Sequence, residues 1–409
     1  MMRKLRVFVC CIFIVTIISG GLLFCTQSYY EGLISKKYYG GFGENLTVQK
    51  FKSPILQSMG ARQGDNLLMF GSSEFVHTIG YYTQPIKFFN GKKDGFQINL
   101  IGKGGYTCLV HVANFGALGT ELKDQKVVFV VSPQWFLKGG VSGEDIESNS
   151  SELQIYGFLF NRKISLATKQ EFSKRIVSIH YTKTNKNFDI IRRYCSLYSN
   201  KDLISTSKRY LLTPYYWIRY ELLVLQDDIA SNKYLKSNPK LTKYIKPLRT
   251  NINWNDELKK ASSIAKSKSN NNEFGMDNVA YNNSFKKNLK KTKGSMKNDS
   301  YKVSPEYEDF KLLLDVCKEE GIKPLILSIP VNGKWYDYAG FNKSDRLAYY
   351  KRIDNMVNSY GFEVADFSKY ENEDHFLMDD SHIGWKGWIH VNEAIDRYYN
   401  NNKKITSAK

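Results

Sequence analysis

Short apolar runs that stop at turn residues alternate along this chain with segments of helical period. Leu67 to Phe70 (LLMF) ends at Gly71, Phe96 to Ile101 (FQINLI) follows, and Lys126 to Val131 (KVVFVV) is rich in β-branched residues. Each reads as a strand. Tyr106 to Leu118 lies between the second and third and carries Leu109, Val110, Val112, Ala113 and Leu118 at helical spacing. Strand, helix, strand predicts a parallel pair with a right-handed crossover. From about Glu152 to Asn232 the pattern turns helical and aromatic, as in RYLLTPYYWIRYELLVLQDDIA, without strand signals. Alternation resumes at Ser304-Pro305-Glu306, which opens a helix that stops at Gly321. A serine cap, a proline in the first turn and a glycine at the end are its signals. Pro324 to Ile329 is the next strand, LAYYKRIDNMVNSY the next helix, and Phe362 to Asp366 the last strand. The expectation is an α/β fold: a doubly wound parallel sheet of about five strands, split by a helical, Lys-rich insertion at about 137–303. Chemistry belongs at the carboxyl ends of such strands.

The first apolar run is of another kind. Val7 to Cys25 is uncharged over 19 residues and follows Arg3, Lys4 and Arg6. That length crosses a hydrocarbon core as one helix, and the positive flank predicts a cytoplasmic N-terminus with everything after about residue 28 outside. The chain then divides into a tail and anchor at 1–28 and an extracellular α/β domain at 29–409. A cleaved signal peptide is the competing reading, but Phe24, Cys25, Thr26 and Gln27 make a poor cleavage site.

The chain has 409 residues and a formal charge of +19. Outside a cell, that excess is not for nucleic acid; its natural partners are membrane headgroups or phosphate-rich wall polymers. Much of it is local, because Ser231 to Ser300 holds 16 Lys or Arg against 5 acids. A solvated, loosely ordered insertion is the first expectation there, and a polyanion-binding arm the second. Six cysteines form no CxxC pair and no zinc-finger spacing, so neither a disulfide scaffold nor a structural metal is indicated.

Two motifs fall at strand ends. Gly71-Ser72-Ser73-Glu74 follows the first strand, where a serine reads first as a helix cap and second as a nucleophile. Met378-Asp379-Asp380-Ser381-His382, after the last strand, offers an imidazole and a carboxylate three residues apart. A hydroxyl nucleophile needs a general base, and the base needs a carboxylate to fix its tautomer. The structural alternative is a turn in which Asp379 caps the final helix. Asp380 is the rival carboxylate. His77, one turn after Ser73, reads as a partly buried polar residue. Trp385 and Trp388 read as packing behind His382, while His375 and His390 have no metal-ligand spacing.

The early serine block and the late D-x-x-H are similar to the SGNH hydrolase layout. In more detail, FGSSE, GKGGY, VVSPQWF and DDSHIGWKGW, in that order behind an anchor, resemble the DltD family of D-alanyl transfer proteins. The resemblance runs from the anchor to the last helix and weakens through about 137–303. It implies work in D-alanylation of teichoic acids in Gram-positive bacteria, at the cell membrane. Carried onto this sequence, it makes Ser73 the nucleophile, His382 the base and Asp379 its orienting partner. It implies an oxyanion hole built from Gly104 or Gly105, with Gln134 standing where the superfamily has an Asn. Glu74 and Trp135 become substrate-binding candidates. It implies no cofactor and no metal, and it names as partners the lipoteichoic acid polymer, the membrane O-acyltransferase DltB and, through a relay, the carrier protein DltC. The residues alone leave two other readings open: an esterase or thioesterase that passes the acyl group to water, and a non-catalytic scaffold that holds teichoic acid.

Overall fold

The computed structural model describes residues 2–39, 42–78, 80–89, 95–181, 186–243, 248 and 250–400, with 2–13, 15 and 16 as backbone alone. The chain opens with helix α1 (Met2–Ser35). Among the described residues no helix is long and apolar enough to cross a membrane. Half of the expected anchor bears on that statement, because the side chains of Val7–Phe13, Val15 and Thr16 lie outside the described residues.

Strands β1 (Asn66–Phe70) and β2 (Gln97–Ile101) come first, followed by helix α2 (Cys108–Leu118) and strand β3 (Lys126–Val131). A helical excursion follows: α3 (Glu152–Phe160), α4 (Leu166–Ser178), α5 (Lys186–Ser199), α6 (Leu203–Ser237) and α7 (Trp254–Lys268). Helix α8 (Glu306–Glu320) leads to β4 (Lys323–Ser328), α9 (Lys343–Ser359) to β5 (Glu363–Asp366), and α10 (Trp385–Asn400) closes the body. Each expected strand lies within one residue of its observed bounds. Helix α8 ends as its sequence predicts, with Gly321 in the left-handed region at φ 73° and its N–H turned back to the carbonyls of Cys317 and Lys318.

All pairings in the five-stranded sheet are parallel, in the order β2-β1-β3-β4-β5. The chain therefore reverses its winding between β1 and β3, and a crevice opens at the carboxyl ends of those two strands. Period-two alternation sorts the strand side chains. Leu68, Phe70, Val127, Phe129 and Val131 face a layer containing α2, α8 and α9. Leu67, Met69, Val128, Val130, Leu325 and Leu327 face α10. Covering both faces explains why these runs are continuously apolar, at about 1.5–3 kcal/mol for each fully buried side chain.

The Lys-rich stretch is more ordered than expected. From 250 to 300 it is described throughout, and it is tied down by buried Ala261, Phe274, Met276 and Tyr281. Its lysines point outward between these anchors, which is why composition alone resembled a solvated linker. The N–H of Asp277 in this stretch donates to the Met378 carbonyl at 2.7 Å, so the insertion reaches the late motif.

Candidate active site

Two glycines let the strand ends approach. A Cβ on Gly102, which has φ 145°, would stand 1.9 Å from the Gly71 carbonyl oxygen. At Gly71 the restriction is space rather than a left-handed turn, since a Cβ would meet the Glu74 carboxylate at 2.1 Å. The Ser72 N–H donates to Glu74 Oε1 at 2.6 Å, and the chain then enters a one-turn helix, Glu74–His77. Ser73 occupies the cap position of that turn, yet its hydroxyl caps nothing. It instead lies 2.8 Å from His382 Nε2.

The opposite nitrogen of His382, Nδ1, is 2.8 Å from Asp379 Oδ2, while Asp379 Oδ1 accepts the backbone N–H of Ser381 at 3.0 Å and of His382 at 2.7 Å. With Nδ1 donating to the carboxylate, Nε2 is left to accept the serine proton. Burial opposes charge on both partners, but their mutual hydrogen bond and attraction prevail: Asp379 is held below the usual carboxylate value of 3.8 and His382 is raised above 6.5. Asp380 takes no part in this row. Burial, with the neighbouring charge of Asp379, pushes it up to about 6, and its side chain accepts the Ser381 hydroxyl at 3.1 Å. Geometry thus separates the two rival carboxylates.

Gly104 stands beside the serine, for a Cβ on it would be 4.0 Å from Ser73 Cβ. Among the described residues, the backbone N–H groups of Ser73 and Gly104 have no acceptor within the chain. Gly105, at φ 81°, turns the loop away toward Asp145 and Asn149. Gln134 follows β3, and its Oε1 accepts the Ser381 hydroxyl at 3.2 Å, which leaves its amide Nε2 as a donor. The chain thus brings together Ser73, His382, Asp379, Gly104 and, through Ser381, Gln134. The two substrate-binding candidates are placed less openly. The Glu74 carboxylate is 3% exposed, committed to Ser72, and raised in pKa by burial. Trp135 is 8% exposed within the apolar cluster on the α2 side.

Trp388 is fully buried and donates to Thr78 Oγ1 at 2.8 Å, and Trp385 stacks on Tyr81 at 3.7 Å. Three further residues support the site through contacts that the sequence did not foretell. His77, expected to be partly buried, is exposed, and its ring stacks on His382 with centroids 4.0 Å apart. His77, Asp379 and His382 also bring possible metal-ligating atoms within 4.8 Å, but both nitrogens of His382 are already engaged by Ser73 and Asp379. Asn332, just beyond β4, donates through Nδ2 to the carbonyls of Asp379 (3.2 Å) and Phe274 (2.9 Å), and its N–H donates to the Asp380 carbonyl at 2.9 Å. Ser381 anchors Gln134, as above. Only spatial proximity reveals these roles.

Fold and site together define a doubly wound α/β protein with a hydrogen-bonded serine, histidine and aspartate at the carboxyl edge of its sheet. The family model described as DltD protein matches residues 43–400, and the chain belongs to the DltD family. Protein DltD of Bacillus subtilis (strain 168) is 36% identical over 392 residues, covering 96% of this chain and 97% of that protein. Protein DltD of Staphylococcus aureus (strain NCTC 8325 / PS 47) is 26% identical over 394 residues, covering 94% and 95%. That of Lacticaseibacillus rhamnosus is 27% identical over 302 residues, covering 72% and 69%.

Proposed function

We propose that this protein is a membrane-anchored, extracellular D-alanyl transfer protein of lipoteichoic acid D-alanylation, working by acyl-ester chemistry of SGNH type. The observation that carries the reading is the unbroken row Ser73 Oγ, His382, Asp379, with both hydrogen bonds at 2.8 Å. Family membership supplies the biological setting, as the resemblance described above implies.

The Ser73 hydroxyl attacks the carbonyl of a D-alanyl ester or thioester as its proton passes to His382 Nε2, and Asp379 stabilises the imidazolium. The N–H groups of Ser73 and Gly104 and the amide of Gln134 receive the oxyanion. One such donor is worth about 2.7–4 kcal/mol of transition-state stabilisation. Collapse expels the donor's alcohol or thiol with the proton from His382. A polymer hydroxyl then gives its proton to His382, attacks the acyl-serine, and leaves as the D-alanyl ester while Ser73 regains its proton.

The charge of +19 suits a polyphosphate acceptor. Anchoring by α1 places the body outside, so the cytoplasmic carrier DltC acts through DltB rather than directly. Replacing Ser73 with Ala in the native cell tests the reading. D-alanyl ester on lipoteichoic acid should fall to background at an unchanged protein level; undiminished ester would make the protein a scaffold. Release of D-alanine into water by the purified full chain, without acceptor dependence, would make it a hydrolase.

A further inference from the structure

Helix α6 presents to solvent a face that a water-soluble helix would not carry. Exposed positions Ile204, Leu211, Tyr215, Ile218 and Leu222 recur at helical spacing, with Leu211 79% and Ile218 54% exposed. Tyr210 and Trp217 flank this stripe, at 70% and 49%. From Leu211 to Leu222 every residue classed as exposed is apolar or aromatic. Contiguous apolar exposure of this kind marks an interaction surface.

The position of α1 indicates what covers it. Gln27 Nε2 donates to the Glu221 carbonyl at 2.9 Å and to Glu221 Oε2 at 3.1 Å. Gln27 meets Glu221 while Ile34, further along α1, shares a buried cluster with Leu235, further along α6, so the two helices run side by side in the same direction. At 1.5 Å per residue, Val7 lies about 25 Å before Phe24 along α1, and Leu203 about 21 Å before Trp217 along α6. Whatever surrounds the uncharged stretch of α1 therefore also meets the exposed face of α6. Ile17, Ile18, Leu22 and Phe24 of α1 are themselves more than half exposed. Tyrosine and tryptophan favour the membrane–water boundary, and the formal charge of +19 favours an anionic surface.

We propose that the Tyr210–Leu222 face of α6 is a second membrane contact, seated in the outer leaflet of an anionic bilayer beside the outer half of the uncharged stretch of α1. It rests on the reading of α1 as an anchor. Such a contact restrains the body against tumbling about a single tether and holds the carboxyl edge of the sheet at a set height above the lipid.

The test uses the full chain in vesicles of brominated phosphatidylglycerol and phosphatidylcholine, in which bromine quenches nearby tryptophan. The emission of Trp217 is the difference between the unaltered protein and Trp217→Phe. Leu211→Trp and, separately, Ile18→Trp in the Trp217→Phe background probe the far end of the face and the anchor. Loss of emission from Trp217 and from the Leu211 probe supports the contact. If the Ile18 probe is quenched while the two α6 probes are not, a protein partner, a second copy or water covers the face, and the inference falls with the anchor intact. If none is quenched, the anchor reading fails and the inference with it.

Discussion

Ser73 stands three residues beyond β1, whereas Asp379 stands thirteen beyond β5, and the two ends of the site are held in place by different means. The Ser73 end is set by the sheet itself: parallel pairing, the contact of Gly102 with the Gly71 carbonyl, and the Glu74 carboxylate folded back onto Ser72. The His382 end has no strand beneath it. Its loop is pinned by bonds from elsewhere, with Asn332 on the carbonyls of Asp379 and Asp380, Asp277 on Met378, and Met378 closing on the His382 carbonyl at 2.8 Å. A site assembled in this way has a rigid half and an adjustable half.

Chemistry comes first among the ways to sharpen that contrast. Ser73→Ala should lower turnover roughly a millionfold without loss of fold, measured as D-alanyl transfer against thermal unfolding. Asp379→Asn should cost roughly four orders of magnitude, because the amide favours the wrong imidazole tautomer. Gly102→Ala tests the rigid half. The clash with Gly71 and the left-handed backbone should destabilise the protein by about 3 kcal/mol or more, read from denaturant unfolding. If it unfolds no more easily than the unaltered chain, the rigid half has been misassigned.

The adjustable half should respond more mildly. Asn332→Ala leaves two backbone carbonyls short of a partner, at about 1–3 kcal/mol, and should lower activity more than stability. The pH profile then reports the loop. On the proposed mechanism His382 acts as the neutral base, and its pKa is raised above 6.5, so the rate should be low in acid and rise as the pH passes that raised value. In Asn332→Ala the midpoint should slide back toward 6.5 as Asp379 loosens. An unmoved midpoint would mean that Asn332 does not position the carboxylate.

The same contrast explains what was legible in the sequence. Strands, crossover helices and the Ser73 turn follow from local pattern, because an apolar run ended by glycine dictates its own conformation. Asp379 and His382 were legible as a pair because one tight turn joins them. Asn332, the Ser381–Gln134 bond and the His77–His382 stack depend on segments brought together only by the completed fold. The Lys-rich insertion misled for a related reason, since Phe274 and Met276 are few among many lysines yet anchor the stretch that supports the His382 loop.

The central claim is that His382 activates the Ser73 hydroxyl, and a fluorophosphonate probe on the full-length protein tests it most directly. Mass mapping should find one adduct, at Ser73, absent in Ser73→Ala and formed far more slowly in His382→Ala. Labelling at equal rates with and without the imidazole, or an adduct on another serine, would contradict it.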